Sequence, residues 1–162
     1  MVEDDVTIER NPDGDSVDWT ELHTLLKDAF AFMEGRIDPP SSLDAMSADD
    51  LRRKARVETL FVARHNGHII GCLFARDEGG SLYIGKLAVA QAMRGQGLAR
   101  RLVNAAIRLA KEQGAFGVEL QTRVELTENH AAFAKLGFEK VGESAHAGYA
   151  KPTSITMRLD LD

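Results

Sequence analysis

Residues 87–99 form an extended apolar run, Leu87-Ala88-Val89-Ala90, that passes through Gln91-Ala92-Met93-Arg94-Gly95-Gln96 into a helix opened by Gly97. From there Leu98, Leu102, Ala105, Ala106 and Leu109 recur at helical spacing, with Ala99, Val103 and Ala110 beside them and Gly114 closing the stripe. A strand that turns through glycines into a long helix leaves consecutive backbone N–H groups pointing at one spot, next to the positive end of the helix dipole. Arg94, Arg100 and Arg101 add cations around the mouth of that loop. The arrangement is a cradle for a pyrophosphate, and the same glycines also fit a plain turn with a solvated basic rim.

Competing phosphate motifs are judged by what is missing. A Walker loop needs Gly-Lys-Ser/Thr after its spacer, whereas Gly97 is followed by Leu98, which disfavours ATP hydrolysis. A dinucleotide fingerprint needs a third small residue where Arg100 stands and normally opens a βαβ unit, so NAD remains a weaker alternative.

The rest of the chain punctuates itself clearly. Residues 6–9 alternate as a short strand before the turn formers Asn11-Pro12-Asp13-Gly14. Asp18 is the expected N-cap of a first helix carrying Leu22, Leu25, Leu26, Ala29, Phe30 and Met33, with Glu21 at the reciprocal capping-box position. Pro39 and Pro40 forbid continuation, and Ser47 opens a second helix over residues 48–55. Residues 59–64 and 68–76 form a hairpin about Asn66-Gly67, because both turn residues tolerate positive φ. A fourth strand over residues 81–90 loses its period of two between Ile84 and Leu87, which predicts a bulge. A strand at 116–121, a helix capped by Thr127 and running to Leu136, and strands at 138–141 and 154–161 complete the order β-α-α-β-β-β-α-β-α-β-β.

Composition bounds the partners. The chain has 162 residues, the size of one ordinary domain, and we read residues 1–162 as a single unit. With 44% hydrophobic and 28% charged residues it has a soluble globular balance, and no apolar stretch is long enough to span a bilayer. A net charge of −5 argues against a nucleic-acid surface. The single cysteine, Cys72, excludes an intrachain disulfide, and the acidic Met1–Asp5 start shows no targeting pattern, so a cytoplasmic location is the expectation. His65 and His68 flank the hairpin turn without a Cys or acidic partner set, and no metal is expected.

These residues resemble the GNAT superfamily of N-acetyltransferases over most of the chain. Arg94-Gly95-Gln96-Gly97-Leu98-Ala99 matches the family's Arg/Gln-x-x-Gly-x-Gly/Ala pyrophosphate loop, and sits where the family has it, between the fourth strand and third helix. Leu87-Ala88-Val89 resembles the bulged end of strand four, and residues 129–138 (NHAAFAKLGF) resemble the C-terminal helix and its Leu-Gly-Phe turn. The resemblance implies an α/β fold with a mixed, mostly antiparallel central sheet of about seven strands flanked by about four helices. It also implies acetyl-CoA as acyl donor, its pantetheine arm pairing with backbone at Leu87 and Val89 as an added strand would, and Asn129 and Phe133 beside it. The backbone N–H of Leu87 or Ala88 then polarises the thioester, and an amine attacks directly.

The sequence departs from the family where proton transfer is concerned. The position of a common tyrosine acid is Phe133, which has no proton to give. Tyr83 stands where some members carry a glutamate base, and its ordinary pKa near 10 points to a water relay instead. Tyr149, before the last strand, is the other hydroxyl the resemblance brings toward the thioester. On the acceptor side the family's overhanging segment is here residues 33–42, beginning at Met33, where Glu34 or Asp38 suits a cationic amine and Arg36 suits a carboxylate. Glu125, Glu128 and His130 crowd the start of the fourth helix. Two functions follow: an acetyl-CoA-dependent N-acetyltransferase acting on a small-molecule or protein amine, and an acyl-CoA-binding sensor that has lost turnover, as Phe133 suggests. Exposed edges of the sheet allow a homodimer.

Overall fold

The computed structural model describes residues 5–161. The acidic start read above for targeting falls, at residues 1–4, outside the described residues. The elements are β1 (Thr7–Arg10), α1 (Trp19–Phe30), α2 (Ala48–Val57), β2 (Thr59–His65), β3 (His68–Asp77), β4 (Ser81–Val89), α3 (Leu98–Glu112), β5 (Gly117–Arg123), α4 (Thr127–Lys135), β6 (Glu139–Ser144) and β7 (Ser154–Asp160), in the order the sequence predicts. Short 3-10 turns cover Ala31–Met33, Ser42–Ala45 and Gln91–Met93.

The strands form a seven-stranded sheet in the order β1-β2-β3-β4-β5-β7-β6. Every neighbouring pair is antiparallel except β4 with β5. Each face carries its own core. Leu102, Val103 and Ala106 of α3 pack on Phe61, Leu73, Leu82 and Val118, while Leu22 and Leu26 of α1 and Leu51 of α2 pack on Leu60, Val62, Cys72 and Phe74.

Local chemistry sets these elements. Asn66 and Gly67 adopt φ of 52° and 79°, as a tight hairpin requires. Asp18 accepts a bond from the Glu21 N–H at 3.0 Å, but the Glu21 carboxylate meets His68 Nδ1 at 3.2 Å instead of returning, so the box at α1 is half made. The complete capping box belongs to Ser47 and Asp50 at α2. Thr127 does not cap α4: it is the first helical residue, and the cap is the buried Leu126, whose carbonyl accepts from Asn129 N–H at 2.9 Å. Apolar anchoring, rather than a hydroxyl, fixes where this helix starts.

The predicted bulge in β4 is present. Phe74 pairs with Gly85 and Cys72 with Ala88, so two residues of β4 oppose one of β3, and Lys86 takes the left-handed φ of 52°. Gly71 on β3 lies under this point. A Cβ there would come 3.1 Å from Leu102 Cδ1 and 3.2 Å from the Ala88 carbonyl, so only glycine lets β3, β4 and α3 approach this closely.

Candidate active site

The single parallel pairing is also the shortest. β4 and β5 share Ser81–Gly117, Leu82–Val118 and Tyr83–Glu119, then part. Past Tyr83, β4 has no strand partner on its β5 side among the described residues. A cavity of about 480 Å³ opens near this gap, lined by Leu87, Ala88 and Val89 of β4, by Phe30 and Met33 at the end of α1, by Asn129, Ala132, Phe133 and Leu136 around α4, and by Arg94 and Ala99 at the loop–helix junction. Its lining runs from the bulge to the N-terminus of α3.

The backbone at both ends offers donors. Ala90 N–H bonds to Ile70 O on β3 at 2.8 Å, and the alternation of an extended strand then turns the Leu87 and Val89 N–H groups to the open side. At the other end Gly95 and Gly97 hold φ of 79° and 78°, and a Cβ on either would meet nothing within 4 Å. Among the described residues the amides of 95–100 donate to no backbone carbonyl, and the first bond of α3 runs from Arg101 N–H to Gly97 O. The cradle is therefore open and rich in donors. Arg94 lines the cavity and Arg100 is exposed beside it. Arg101 corrects the sequence reading: it turns away, with Nη2 3.4 Å from the Val6 carbonyl.

Asn129 and Phe133 lie one turn apart on the α4 wall. The Phe133 ring is held edge-on to Phe138, with centroids 6.0 Å apart and planes at 68°. The two tyrosines do not line this cavity. Tyr83 projects to the α1–α2 side of β4, next to Gly85, with Arg76 4.3 Å above its ring, and burial pushes its hydroxyl pKa up. Tyr149 donates to Asp38 Oδ1 at 2.5 Å, and that bond raises its pKa as well. Neither hydroxyl is tuned to accept a proton at neutral pH.

The connection between α1 and α2 is strapped across the cleft by polar contacts. Arg36 forms a two-pronged ion pair with Glu128 on α4, Asp38 N–H donates to Glu125 Oε2 at 3.3 Å, and Arg123 donates to the Pro39 carbonyl at 2.5 Å and the Pro40 carbonyl at 3.1 Å. Arg36 is thus committed to a protein carboxylate and not free for a ligand, and Glu34 lines a separate small cavity over Lys27 and Asp44. Of Met33, Glu34, Arg36 and Asp38, Met33 is the one that lines this cavity. His130 is engaged by the Arg123 carbonyl at 2.8 Å.

Sequence reasoning passed over Lys86. Its Nζ bonds Ser42 Oγ at 2.9 Å, and burial together with the neighbouring Lys54 lowers its pKa. A glycine followed by lysine inside a strand that loses its period was the available signal. Cys72 is fully buried beneath it, its thiol donating to the Lys86 carbonyl at 3.4 Å and its pKa pushed up to about 12 by burial. Among the described residues no cluster of three or more His, Cys, Asp or Glu side chains is set to hold a metal, and no helix is long and apolar enough to cross a membrane.

A family model described as Acetyltransferase (GNAT) family matches residues 19–138. Among curated proteins, N-alpha-acetyltransferase 30 of Schizosaccharomyces pombe is 34% identical over 86 residues, half of this chain and 57% of that protein. The match thus spans little more than half of the relative's length. Solved structures agree in fold: a PaiA N-acetyltransferase from Thermoplasma acidophilum in complex with coenzyme A superposes with a TM-score of 0.79 at 12% identity, covering 96% of this chain and 99% of that one. A GNAT family acetyltransferase from Elizabethkingia anophelis with acetyl-CoA bound gives 0.68 at 20% identity over 98% and 99%, and an IAA acetyltransferase from Bacillus cereus gives 0.67 at 22% over 96% and 99%.

Proposed function

Because the chain belongs to the GNAT family of acetyltransferases, we propose that it is one catalytic unit that moves the acetyl group of acetyl-CoA to an amine by direct attack in a ternary complex. One observation carries the reading: a single cavity is lined both by the bulged end of β4 and by Arg94 and Ala99 at the anion cradle. The donor's diphosphate suits the open amides of residues 95–100, and its extended amide-bearing arm suits the unpaired edge of β4. Neighbours with coenzyme A or acetyl-CoA bound share the fold, which supports the same donor here.

The Leu87 N–H is then the donor for the oxyanion, since it faces the gap while Ala88 N–H faces β3. Leu87, Ala88 and Val89 seat the arm, Gly95, Gln96, Gly97 and Leu98 seat the phosphates, and Asn129 and Phe133 form the opposite wall. Proton removal from the amine falls to water, because Tyr83 and Tyr149 both have raised pKa values. The acceptor is a small-molecule or protein amine approaching under the Arg36–Pro40 strap.

A second reading, an acyl-CoA sensor without turnover, is favoured by Phe133, which has no proton for the leaving sulfur. Acceptor-dependent release of CoA thiol separates the two. Thiol released with any of a panel of amines, in a sample that acetyl-CoA stabilises thermally, supports the transferase. Saturable stabilisation with no release across the panel supports the sensor, and no stabilisation at all overturns both.

A further inference from the structure

The residue next to the proposed oxyanion donor is itself an amine. Lys86 occupies the bulge, in the left-handed conformation, immediately before Leu87. Its ammonium is half-buried and reaches Ser42 Oγ at 2.9 Å, beneath the connection that overhangs the acceptor side. Among the described residues no carboxylate lies within 4 Å of it. Glu58, which acts on it from farther away, is paired with Lys54 at 2.8 Å. A half-buried lysine held by a neutral hydroxyl, with a second lysine nearby, keeps a larger neutral fraction than an exposed one. The other lysine near this spot, Lys54, is by contrast paired with the Glu58 carboxylate.

We propose that Lys86 is an acetylation site in cis, modified by the acetyl-CoA bound in the cleft of its own chain; this rests on the donor assignment above. Its flexible four-carbon stem begins one residue from Leu87, so release from Ser42 lets the amine swing to a thioester whose oxygen sits on the Leu87 N–H. The Nζ lone pair forms the new bond to the carbonyl carbon. The tetrahedral intermediate collapses with cleavage of the C–S bond, CoA leaves as thiolate, and the proton lost by nitrogen passes through water to that thiolate. The products are an Nε-acetyl-lysine and CoA thiol. Acetylation removes the charge and the Ser42 tether together, leaving a neutral amide at the acceptor mouth. The modification therefore acts as a brake on an idle enzyme that holds donor without acceptor.

The test is incubation of the purified chain with acetyl-CoA and no acceptor, followed by intact mass and peptide mapping. The expected result is one added acetyl group, with Lys86 modified at least about tenfold faster than the exposed Lys27, Lys111, Lys135, Lys140 or Lys151. The rate constant should be unchanged on diluting the protein, the product absent in Lys86→Arg, and the labelling of wild-type protein blocked by excess CoA. Acetylation spread over surface lysines, a rate that falls with dilution, or indifference to CoA overturns the proposal. So does an unmodified Lys86 in protein that CoA stabilises thermally. If CoA gives no stabilisation, the donor assignment itself falls, and the proposal with it.

Discussion

Arg36 grips Glu128 with both arms of its guanidinium, Nη1 to Oε2 at 2.6 Å and Nη2 to Oε1 at 2.9 Å, across 92 positions of sequence. The pair ties the α1–α2 connection to the first turn of α4, beside the Asp38–Glu125 and Arg123–Pro39 contacts.

The tie should be indifferent to pH in the ordinary range and fail in acid. Hydrogen bonding from Arg36 holds the Glu128 carboxyl at about 2, below its usual 4.5. A depressed carboxyl contributes fully above 4.5 and loses its contribution as pH falls from there through about 2. Hydrogen exchange in residues 34–42, corrected for intrinsic rates, should be constant from pH 8 to 5 and rise below 4. Glu128→Gln should show the faster exchange already at neutral pH, and 1 M salt should move wild type toward it.

Gly97→Glu should abolish stabilisation by acetyl-CoA. The position is left-handed, so any side chain lowers the melting temperature of the free protein, by about 1–2 kcal/mol of stability. The readout is the increment on adding acetyl-CoA, which should vanish because a carboxylate now faces the amides of the cradle. A retained increment would remove the pyrophosphate assignment.

Phe133→Tyr should raise turnover. The ring already lines the cavity and is fixed edge-on against Phe138, so a hydroxyl at its tip adds a proton donor without asking the helix to move. Acetyl-CoA affinity should stay within about threefold, and kcat should rise by about tenfold or more, the lower part of what one general acid supplies. An unchanged kcat would mean that the leaving thiolate needs no acid here.

Cys72 should resist alkylation until the chain unfolds. Its thiol is fully buried and held near 12, against an ordinary value of 9. For an acid whose folded pKa is raised, the contribution to stability is complete below 9 and is lost as pH climbs toward 12. Iodoacetamide at pH 8 should leave native protein unlabelled and label it fully in denaturant, and removing the thiol with Cys72→Ala should flatten the alkaline part of the stability curve.

Gly71→Ala should cost about 1–3 kcal/mol, as overpacking does. The added methyl meets Leu102, Leu98 and the Ala88 carbonyl at 3.1–3.3 Å. Since Ala88 follows Leu87, the proposed oxyanion donor, KM for acetyl-CoA should rise along with the loss of thermal stability.

What could be read from the chain was what depends on neighbours in sequence. The Asn66-Gly67 hairpin, the α3 stripe and the bulge announced by the slip between Ile84 and Leu87 each need only a few consecutive residues to state their geometry. Side chains that choose among distant partners gave no such sign. Glu21 leaves its capping box for His68 on another element, Arg101 leaves the cradle for the Val6 carbonyl, and Tyr149 finds Asp38 at a separation of 111 positions. The loop and the bulge of the site were therefore legible, while the strap over it was not. Thr127 misled for a related reason: a hydroxyl marks many helix starts, but burial of Leu126 decided this one.

Most sheets keep their unpaired edges at the rim, where charge and twist protect them from other chains. Here β4 carries one in the middle of the sheet, past Tyr83, and its last residues, Leu87–Val89, line a cavity. Lys86 breaks that edge with its left-handed φ, and the three extended residues beyond it, Leu87–Val89, line the cavity over roughly 10 Å, ending at the turn into α3. With the donor seated as proposed, its amides are matched against this short edge, so its selection begins before any reacting atom is in place.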